Sequence, residues 1–384
     1  MPQADNMKIT VCLITNHDDD VYCFRKELLE GLIEAGYKVI VSCPYGEKLQ
    51  LMQEMDFIHE DIYIDRRGTN PIADYKLYRE YKKLIKRHKV DVVLTYTAKP
   101  NVYASLAAAY YKILYINNVT GLGSVINMNP LLKKFVMFLY KMAFKKSSCV
   151  FFQNQTNMDM IISQGLVKGT AKLLPGSGVN IERFRLLEYP EGGDGVNGST
   201  IVFNYIGRVL KEKGIDDYIE AATRIKREYP NTEFNVIGFV EPTQKEYENL
   251  LKEKEGQGII IYRGQQKDVI PYIKRAHAII HPSVYGEGMS NVLLENASSG
   301  RVLITTDNPG CKETVMDGKS GYIYSGGNVD ELVEKMKKFI KLSNEERERM
   351  GIVGREYVSK RFSRDIVVNN YLDMIKEVIG NEKR

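Results

Sequence analysis

The stretch "STIVFNYIGRVLKEKGIDDYIEAATRIKREYP", residues 199–230, decides the architecture. Its first half is a short apolar run ending in glycine, which reads as a buried strand. Its second half has the helical period, opening on Gly214 and two acids and closing before Pro230. The loop between carries Gly207, Arg208 and Lys213. A strand, a loop with two cations and a helix form half of a βαβ unit.

The pattern continues on both sides. Downstream, "TEFNVIGFV" (232–240), "HAIIHPS" (277–283) and "RVLITTD" (301–307) read as strands, with helices between them. Upstream, an independent series runs through strand "KITVCLIT" (8–15), helix "VYCFRKELLEGLIEAG" (21–36) and strand "YKVIVSCP" (37–44). Helix "YKLYREYKKLIKRHK" (75–89), strand "VDVVLTYT" (90–97), helix "NVYASLAAAYY" (101–111) and strand "KILYINNV" (112–119) follow. Such alternation predicts parallel sheets covered by helices. The restart near "LLPGSGVNIERF" (173–184) predicts two doubly wound α/β domains, over 1–176 and 177–361, with a ligand in the cleft between them. The last helix, within 362–384, falls outside the second pattern and is expected to return to the first domain. A chain of 384 residues suits two such cores.

Composition narrows the function. No apolar run approaches the length of a membrane span, and the N-terminus lacks the apolar stretch of a signal peptide. Five scattered cysteines suit a reducing compartment and have no metal-site spacing. The net charge is +5, yet fourteen Lys or Arg lie between Lys76 and Lys146 against two acids, so the remainder is net acidic. A basic block confined to one region points to an anionic partner there. No nucleic-acid module accompanies it, so nucleic acid is not the expected partner.

Two segments carry candidate chemistry. Arg208 offers a fork of donors and Lys213 a point charge on one loop after a strand, a pairing suited to a diphosphate; two solvated surface cations are the plain alternative. In "HPSVYGEGMSNVLLENASSG" (281–300), Gly286 and Gly288 allow close backbone approach, and a helix start follows. Glu287 and Glu295 could hold the paired hydroxyls of a sugar and a ribose, or could be a cap and an exposed glutamate. His281 reads as a packed structural histidine. "HDDDV" (17–21) holds three consecutive acids that invite a metal reading; a polar loop after the first strand is the plain alternative.

These segments, taken together and in order, resemble the glycosyltransferases of family 4, with the GT-B fold of two Rossmann-like domains facing across a cleft. The branch most similar builds capsule, O-antigen and lipid-linked oligosaccharides. The resemblance covers nearly the whole chain, through "FRKELLEGLIEAGYKV" (24–39), "DRRGTNPIADYKLYREYKKLIKRHKVDVVLTYTAKPNVYASLAA" (65–108), "VTGLG" (119–123) and "FFQNQTN" (151–157). It continues through "LPGSGVNIERF" (174–184), "GRVLKEKGIDDYIEAA" (207–222), residues 281–315 and "GKSGYIY" (318–324).

The resemblance implies a retaining hexosyl- or N-acetylhexosaminyltransferase using a UDP-linked sugar. Arg208 and Lys213 would bind the donor diphosphate, Glu287 the transferred sugar and Glu295 the ribose. Gly207 and the run Gly288, Met289, Ser290, Asn291 and Val292 would meet the sugar and phosphates. A leaving-group oxygen would deprotonate the acceptor, with the cations stabilising the charge. No cofactor beyond the nucleotide sugar and no metal is implied, Arg208 and Lys213 doing the metal's work, so "HDDDV" is expected to be a polar loop. Many members carry a histidine where this chain has Thr120, so Thr120 and Gly121 are candidate acceptor contacts only. Asn16, Arg66, Arg67 and Lys99 join them, the last three toward the diphosphate of a polyprenyl-linked saccharide acceptor.

The segment "NPLLKKFVMFLYKMAFKKSS" (129–148) reads as a helix lying on an anionic inner membrane surface, through Lys133, Lys134, Phe135, Phe138, Lys141, Lys145 and Lys146; a domain-packing helix is the alternative. The expected setting is cytoplasmic and peripheral to the membrane. Two rivals stay open: a soluble nucleotide-sugar 2-epimerase of the same fold, and a non-enzymatic nucleotide-sugar sensor.

Overall fold

The computed structural model describes residues 8–66, 68–122, 129–193, 195 and 198–382. The chain divides into two compact units. Unit 1 comprises Met1–Gly178 with Arg364–Arg384, and unit 2 comprises Val179–Ser363.

In unit 1 the described strands are β1 Thr10–Ile14, β2 Lys38–Ser42, β3 Phe57–Glu60, β4 Val92–Tyr96, β5 Leu114–Val119, β6 Cys149–Phe152 and β7 Thr170–Leu173. They pair in parallel in the order β3-β2-β1-β4-β5-β6-β7. Every residue of β1, β4 and β6 is buried. Helices cover both faces of such a sheet, so its inner strands read as unbroken apolar runs.

Unit 2 holds β8 Ile201–Ile206, β9 Thr232–Ile237, β10 Ile261–Gly264, β11 Ala278–His281, β12 Val302–Thr306 and β13 Gly321–Tyr324, all parallel in the order β10-β9-β8-β11-β12-β13. Helix Ile215–Glu228 buries Ile215, Tyr218, Ile219, Ala222 and Ile225 and leaves its charges outside. Each unit is thus a Rossmann-like parallel sheet, as the alternating pattern predicts. Strands β3, β6, β7, β10 and β13 add to those read from periodicity. Each has only four residues, too few to show a period against neighbouring loops.

Two local expectations need correction. The helix expected over 21–36 is two helices, Asp18–Phe24 and Lys26–Glu34, broken at Arg25, where φ is −132° and ψ is 0°. The break turns the buried Arg25 guanidinium onto the Tyr96 ring, 4.2 Å from its centroid, and lets it donate to Ser177 Oγ at 2.7 Å. The segment "HDDDV" is not a loop. His17 caps the first helix, accepting from Asp19 N–H, and Asp18–Asp20 form its acidic first turn.

The final helix, Arg364–Glu382, belongs to unit 1, where Val367, Tyr371, Met374, Ile375 and Val378 join the core of β1, β2 and β4. Tyr371 Oη accepts from Asn118 Nδ2 at 2.7 Å. The unit boundaries, after Gly178 and after Ser363, stand two residues beyond the sequence-based ones. Arg364 ties them down by donating to Gly178 O, Cys23 O and Glu27.

In both sheets the chain winds first to one side and then to the other. The reversal lies between β1 and β4 in unit 1 and between β8 and β11 in unit 2. Ligands of open α/β sheets bind outside the carboxyl ends of the strands at such a reversal.

Two outcomes follow for unit 2. Gly214 has φ 74°, and a Cβ there would overlap the Pro282 carbonyl of the loop after β11. Gly214→Ala is therefore expected to lower the unfolding free energy by about 2 kcal/mol or more in a urea titration; an unchanged midpoint would refute the close approach. His277 is buried, with Nδ1 accepting from Val202 N–H at 3.0 Å and Nε2 facing Glu191 O at 3.1 Å. Burial lowers its pKa from 6.5 to about 4. Between those values the unfolded chain binds a proton that the folded one refuses, so stability rises with pH across this window and falls on acidification. His277→Gln should flatten the slope there by up to about 1.4 kcal/mol per pH unit, measured as unfolding free energy at several pH values.

Candidate functional site

The reversal in unit 2 assembles the site. The loop after β8 supplies Gly207, Arg208 and Lys213, and the loop after β11 supplies residues 282–290. Because β8 and β11 are adjacent, loops some seventy residues apart in sequence meet at one edge. The meeting is fastened by Val284 N–H donating to Glu212 O at 3.0 Å.

Lys213 Nζ is ion-paired with Glu287 Oε1, the two side chains being 14% and 15% exposed. Arg208 donates to Glu241 Oε2 at 2.9 Å. Glu241 follows β9, whose loop is laced to that of β8 by Val209 N–H to Phe239 O and Glu241 N–H to Val209 O. The Tyr285 ring lies 6.0 Å from Arg208 Cζ and 5.5 Å from Lys213 Nζ. Two cations thus stand near one aromatic ring, each restrained by a carboxylate. Burial works to raise the Glu287 pKa, but Lys213, with Arg208 behind it, outweighs that and holds the group below its ordinary value.

His281 ends β11. Its Nε2 lies 3.2 Å from Ser290 Oγ, and its Nδ1 is buried without a hydrogen-bond partner. Burial, with Lys213 adding to it, lowers its pKa to about 3, so the ring is neutral. The Ser290 hydroxyl faces His281 and makes no cap to the helix Asn291–Ser298 that it precedes. The first amides of that helix therefore lack a side-chain acceptor from Ser290, the condition that attracts an anion. Ser290 N–H itself goes to Gly310 O at 2.8 Å. Met289 is buried in the core, and Asn291 Oδ1 is buried without a partner. Gly288 is buried, and Val292 packs partly exposed on the core. Glu295 stands one turn into the helix and is partly exposed; its carbonyl accepts from Ser299.

Among the residues that sequence reading did not single out, Glu241 and Tyr285 stand nearest the cations. Glu241 is a lone acid in the loop after β9, and only the strand order brings that loop beside Arg208. Tyr285 sits inside a segment already singled out, but its orientation is a tertiary property.

In unit 1, Asn16, Lys99, Thr120 and Gly121 follow the carboxyl ends of β1, β4 and β5, three neighbouring strands, while Arg66 follows β3, two strands away from β1. Asn16 follows β1, and its buried Oδ1 has no hydrogen-bond partner. Lys99, at the start of helix Ala98–Tyr111, donates to Asp74 Oδ1 at 2.6 Å, and Tyr103 Oη donates to Asp74 Oδ2 at 2.8 Å. Lys99 therefore carries a counter-ion of its own. Thr120 and Gly121 follow β5, both partly exposed. Arg66 is exposed on the segment before helix Pro71–His88. Arg67 lies outside the described residues. The one metal-compatible cluster among the described residues is His17, Asp18 and Asp19, whose ligand atoms lie within 4.8 Å of one another. Asp18 also accepts from Lys48 N–H at 2.9 Å.

The helix Pro130–Phe144 buries Met137, Tyr140, Ala143 and Phe144. Its opposite face leaves Leu131 78%, Phe135 56%, Phe138 55% and Met142 46% exposed, interleaved with exposed Lys134, Lys141 and Lys145. Lys133 is partly exposed and Lys146 exposed. None of the described helices is long and apolar enough to cross a membrane.

Comparison with known proteins agrees with this geometry. Residues 10–154 match the model of the glycosyl transferase 4-like domain, and residues 194–357 match that of the glycosyl transferases group 1. The chain is 24% identical over 377 residues to the N,N'-diacetylbacillosaminyl-diphospho-undecaprenol alpha-1,3-N-acetylgalactosaminyltransferase of Campylobacter jejuni, covering 94% of this chain and 96% of that one. It is 26% identical to the capsular polysaccharide biosynthesis glycosyltransferase CapM of Staphylococcus aureus, over 77% of this chain and 80% of that protein. Among solved structures, a glycosyltransferase from Rickettsia africae superposes with a TM-score of 0.77 at 19% identity, covering 98% of this chain and all of that one. HepE of Anabaena, solved with UDP-glucose, gives 0.76 at 16% identity, covering 97% of this chain and all of its own. With both domain models matched in order and two Rossmann-like units in place, the chain belongs to the glycosyltransferases of family 4, with the GT-B fold.

Proposed function

We propose that this glycosyltransferase moves an N-acetylhexosamine or a hexose, with retention, from a UDP-linked donor to a saccharide carried on a polyprenyl diphosphate. The observation that carries the reading is the pairing of Lys213 with Glu287 beside Arg208, where the loops after β8 and β11 meet. A diphosphate entering there would find two cations already aimed, with the first amides of helix Asn291–Ser298 alongside. The Campylobacter jejuni relative acts on a diphospho-undecaprenol acceptor, and HepE was solved with UDP-glucose; both support the choice of substrates.

In this reading the reaction needs no protein nucleophile. As the bond to the sugar breaks, negative charge grows on the nucleotide diphosphate, and Arg208 and Lys213 stabilise it. Their resting partners, Glu241 and Glu287, hold the side chains in place beforehand, which limits reorganisation in the transition state. Glu287 stays ionised and accepts hydrogen bonds from the transferred sugar, while Glu295 meets the ribose. A leaving diphosphate oxygen takes the acceptor proton on the same face, which gives retention. The two cations supply the charge that a metal would otherwise bring, so the reading calls for none. Asn16, Arg66, Arg67, Lys99, Thr120 and Gly121 are assigned to the acceptor. The exposed basic and apolar face of helix Pro130–Phe144 is assigned to an anionic membrane surface at the cytoplasmic side, where a lipid-linked acceptor would be met.

A panel of nucleotide sugars assayed by thermal shift is expected to single out a UDP-sugar, since a ligand bound only by the folded state raises apparent stability. With that donor and a polyprenyl-diphosphate saccharide, Lys213→Ala and Glu287→Ala should each lower kcat/KM by about 10²-fold or more. Turnover surviving both substitutions, or a product that is an epimerised nucleotide sugar, would refute the assignment. Sedimentation with phosphatidylglycerol vesicles should pellet the chain. The double variant Lys134→Glu/Lys141→Glu should weaken that binding by about thirtyfold or more, each lysine near the surface being worth roughly 1 kcal/mol; equal pelleting of both proteins would refute the membrane face.

A further inference from the structure

A trough of about 620 Å³ lies on the outer surface of unit 1, walled by the helices Pro71–His88, Ala98–Tyr111 and Pro130–Phe144. We infer that it binds one anionic phospholipid, with an acyl chain along the trough and the phosphate on Lys145 and Lys146. The inference rests on the membrane part of the proposed function and names the lipid contact that a membrane surface would offer.

The lining favours a hydrocarbon chain over a sugar or a nucleotide. Tyr75, Tyr78, Leu106, Ala109, Leu139 and Met142 dominate the walls. Asp74 is the acid of the lining, and Lys99 and Tyr103 already satisfy both its oxygens. A saccharide would need paired donors and acceptors that these walls lack. Tyrosine, with an apolar ring and a polar tip, suits the depth where chain gives way to headgroup.

Charge sets the polarity of the trough. The three helices each run from the carboxyl end of one strand toward the start of the next, so they lie in the same direction. Lys145 and Lys146 follow the end of the third helix and are exposed, and both line the trough. The Lys82 ammonium lies 3.2 Å from the centroid of Tyr110, a lining residue near the end of helix Ala98–Tyr111. Lys145 and Lys146 therefore place two lining cations at one end, while at the other Thr69 and Pro71 line the trough and Asp74 is ion-paired with Lys99. An anionic head and an apolar tail match that asymmetry. The trough is continuous with the exposed stripe on helix Pro130–Phe144, since Phe135 and Met142 belong to both. A lipid drawn into it would therefore be one from the layer on which the stripe rests.

The test is calorimetry of the full chain with dihexanoyl phosphatidylglycerol below its micelle concentration. Dihexanoyl phosphatidylcholine and glycerol phosphate serve as the neutral-head and tail-free probes. Phosphatidylglycerol should bind about tenfold tighter than either, because two lysines near the phosphate and a buried chain both contribute. Ala109→Trp, which fills the trough, should lose about tenfold in affinity, and the surface variant Lys145→Glu/Lys146→Glu about thirtyfold or more. Circular dichroism and the unfolding midpoint show whether Ala109→Trp folds; if it does not, the surface variant decides. Equal affinity for all three probes, or wild-type affinity in the surface variant, overturns the inference. Sedimentation on phosphatidylglycerol vesicles separates it from the broader reading. Pelleting without binding of the monomeric lipid overturns the trough and leaves the membrane face standing. Binding of the monomeric lipid without pelleting supports the trough and removes the membrane face. A chain that dimerises through this face and ignores the lipid overturns it as well.

Discussion

The ion pair between Lys213 and Glu287 is the contact around which unit 2 organises its candidate chemistry. It joins loops that follow two adjacent parallel strands, and so depends on β8 and β11 being neighbours. Both partners are largely buried, and removing either would leave a poorly solvated charge. Such a pair is weak evidence of stability and better evidence of a prepared site, because its members are held where an incoming anion could exchange partners with them. Arg208 repeats the arrangement with Glu241, and Tyr285 lies against both cations. The site is therefore electrostatically compensated before any ligand arrives. A diphosphate would be exchanged for carboxylates rather than for bulk water.

The surrounding fold keeps those loops in place with small means. Gly214 and Gly238 adopt positive φ where a side chain would collide with Pro282 and with Gly207, so backbone meets backbone directly behind the cations. His281 and Ser290 face each other at the two ends of the loop after β11, with the ring neutral and the hydroxyl turned from the helix it precedes. Unit 1 shows a looser version of the same plan. Most of its acceptor candidates stand at the carboxyl ends of three adjacent strands, with Arg66 apart after β3, yet Lys99 is neutralised by Asp74 and Asn16 keeps a buried oxygen without a partner. Its most distinctive surface is elsewhere, on the helices Pro71–His88, Ala98–Tyr111 and Pro130–Phe144, where aromatic rings and lysines share an exposed face.

Much of this was written in the order of residues. Apolar runs at β1, β4, β8 and β12 carry the parallel-sheet signal because both faces of those strands are buried, and a strand buried on both sides favours apolar residues at most positions. The four-residue strands at β3, β7 and β10 carry no such signal, being partly exposed and too short for a period. Arg208, Lys213 and Glu287 were visible because charge next to glycine after a strand is a local pattern, and pattern at short range survives in one dimension.

What tertiary structure alone decided is which charges meet. Glu241 and Arg208 are thirty-three residues apart, and Lys213 and Glu287 seventy-four. Their pairing follows from strand order, which no single loop encodes. The break at Arg25 likewise arises because a buried guanidinium reaches Tyr96 and Ser177, partners supplied from far along the chain. Periodicity reports which face of an element is buried. It cannot report what that face is buried against, because the free energy of the contact belongs to both partners at once.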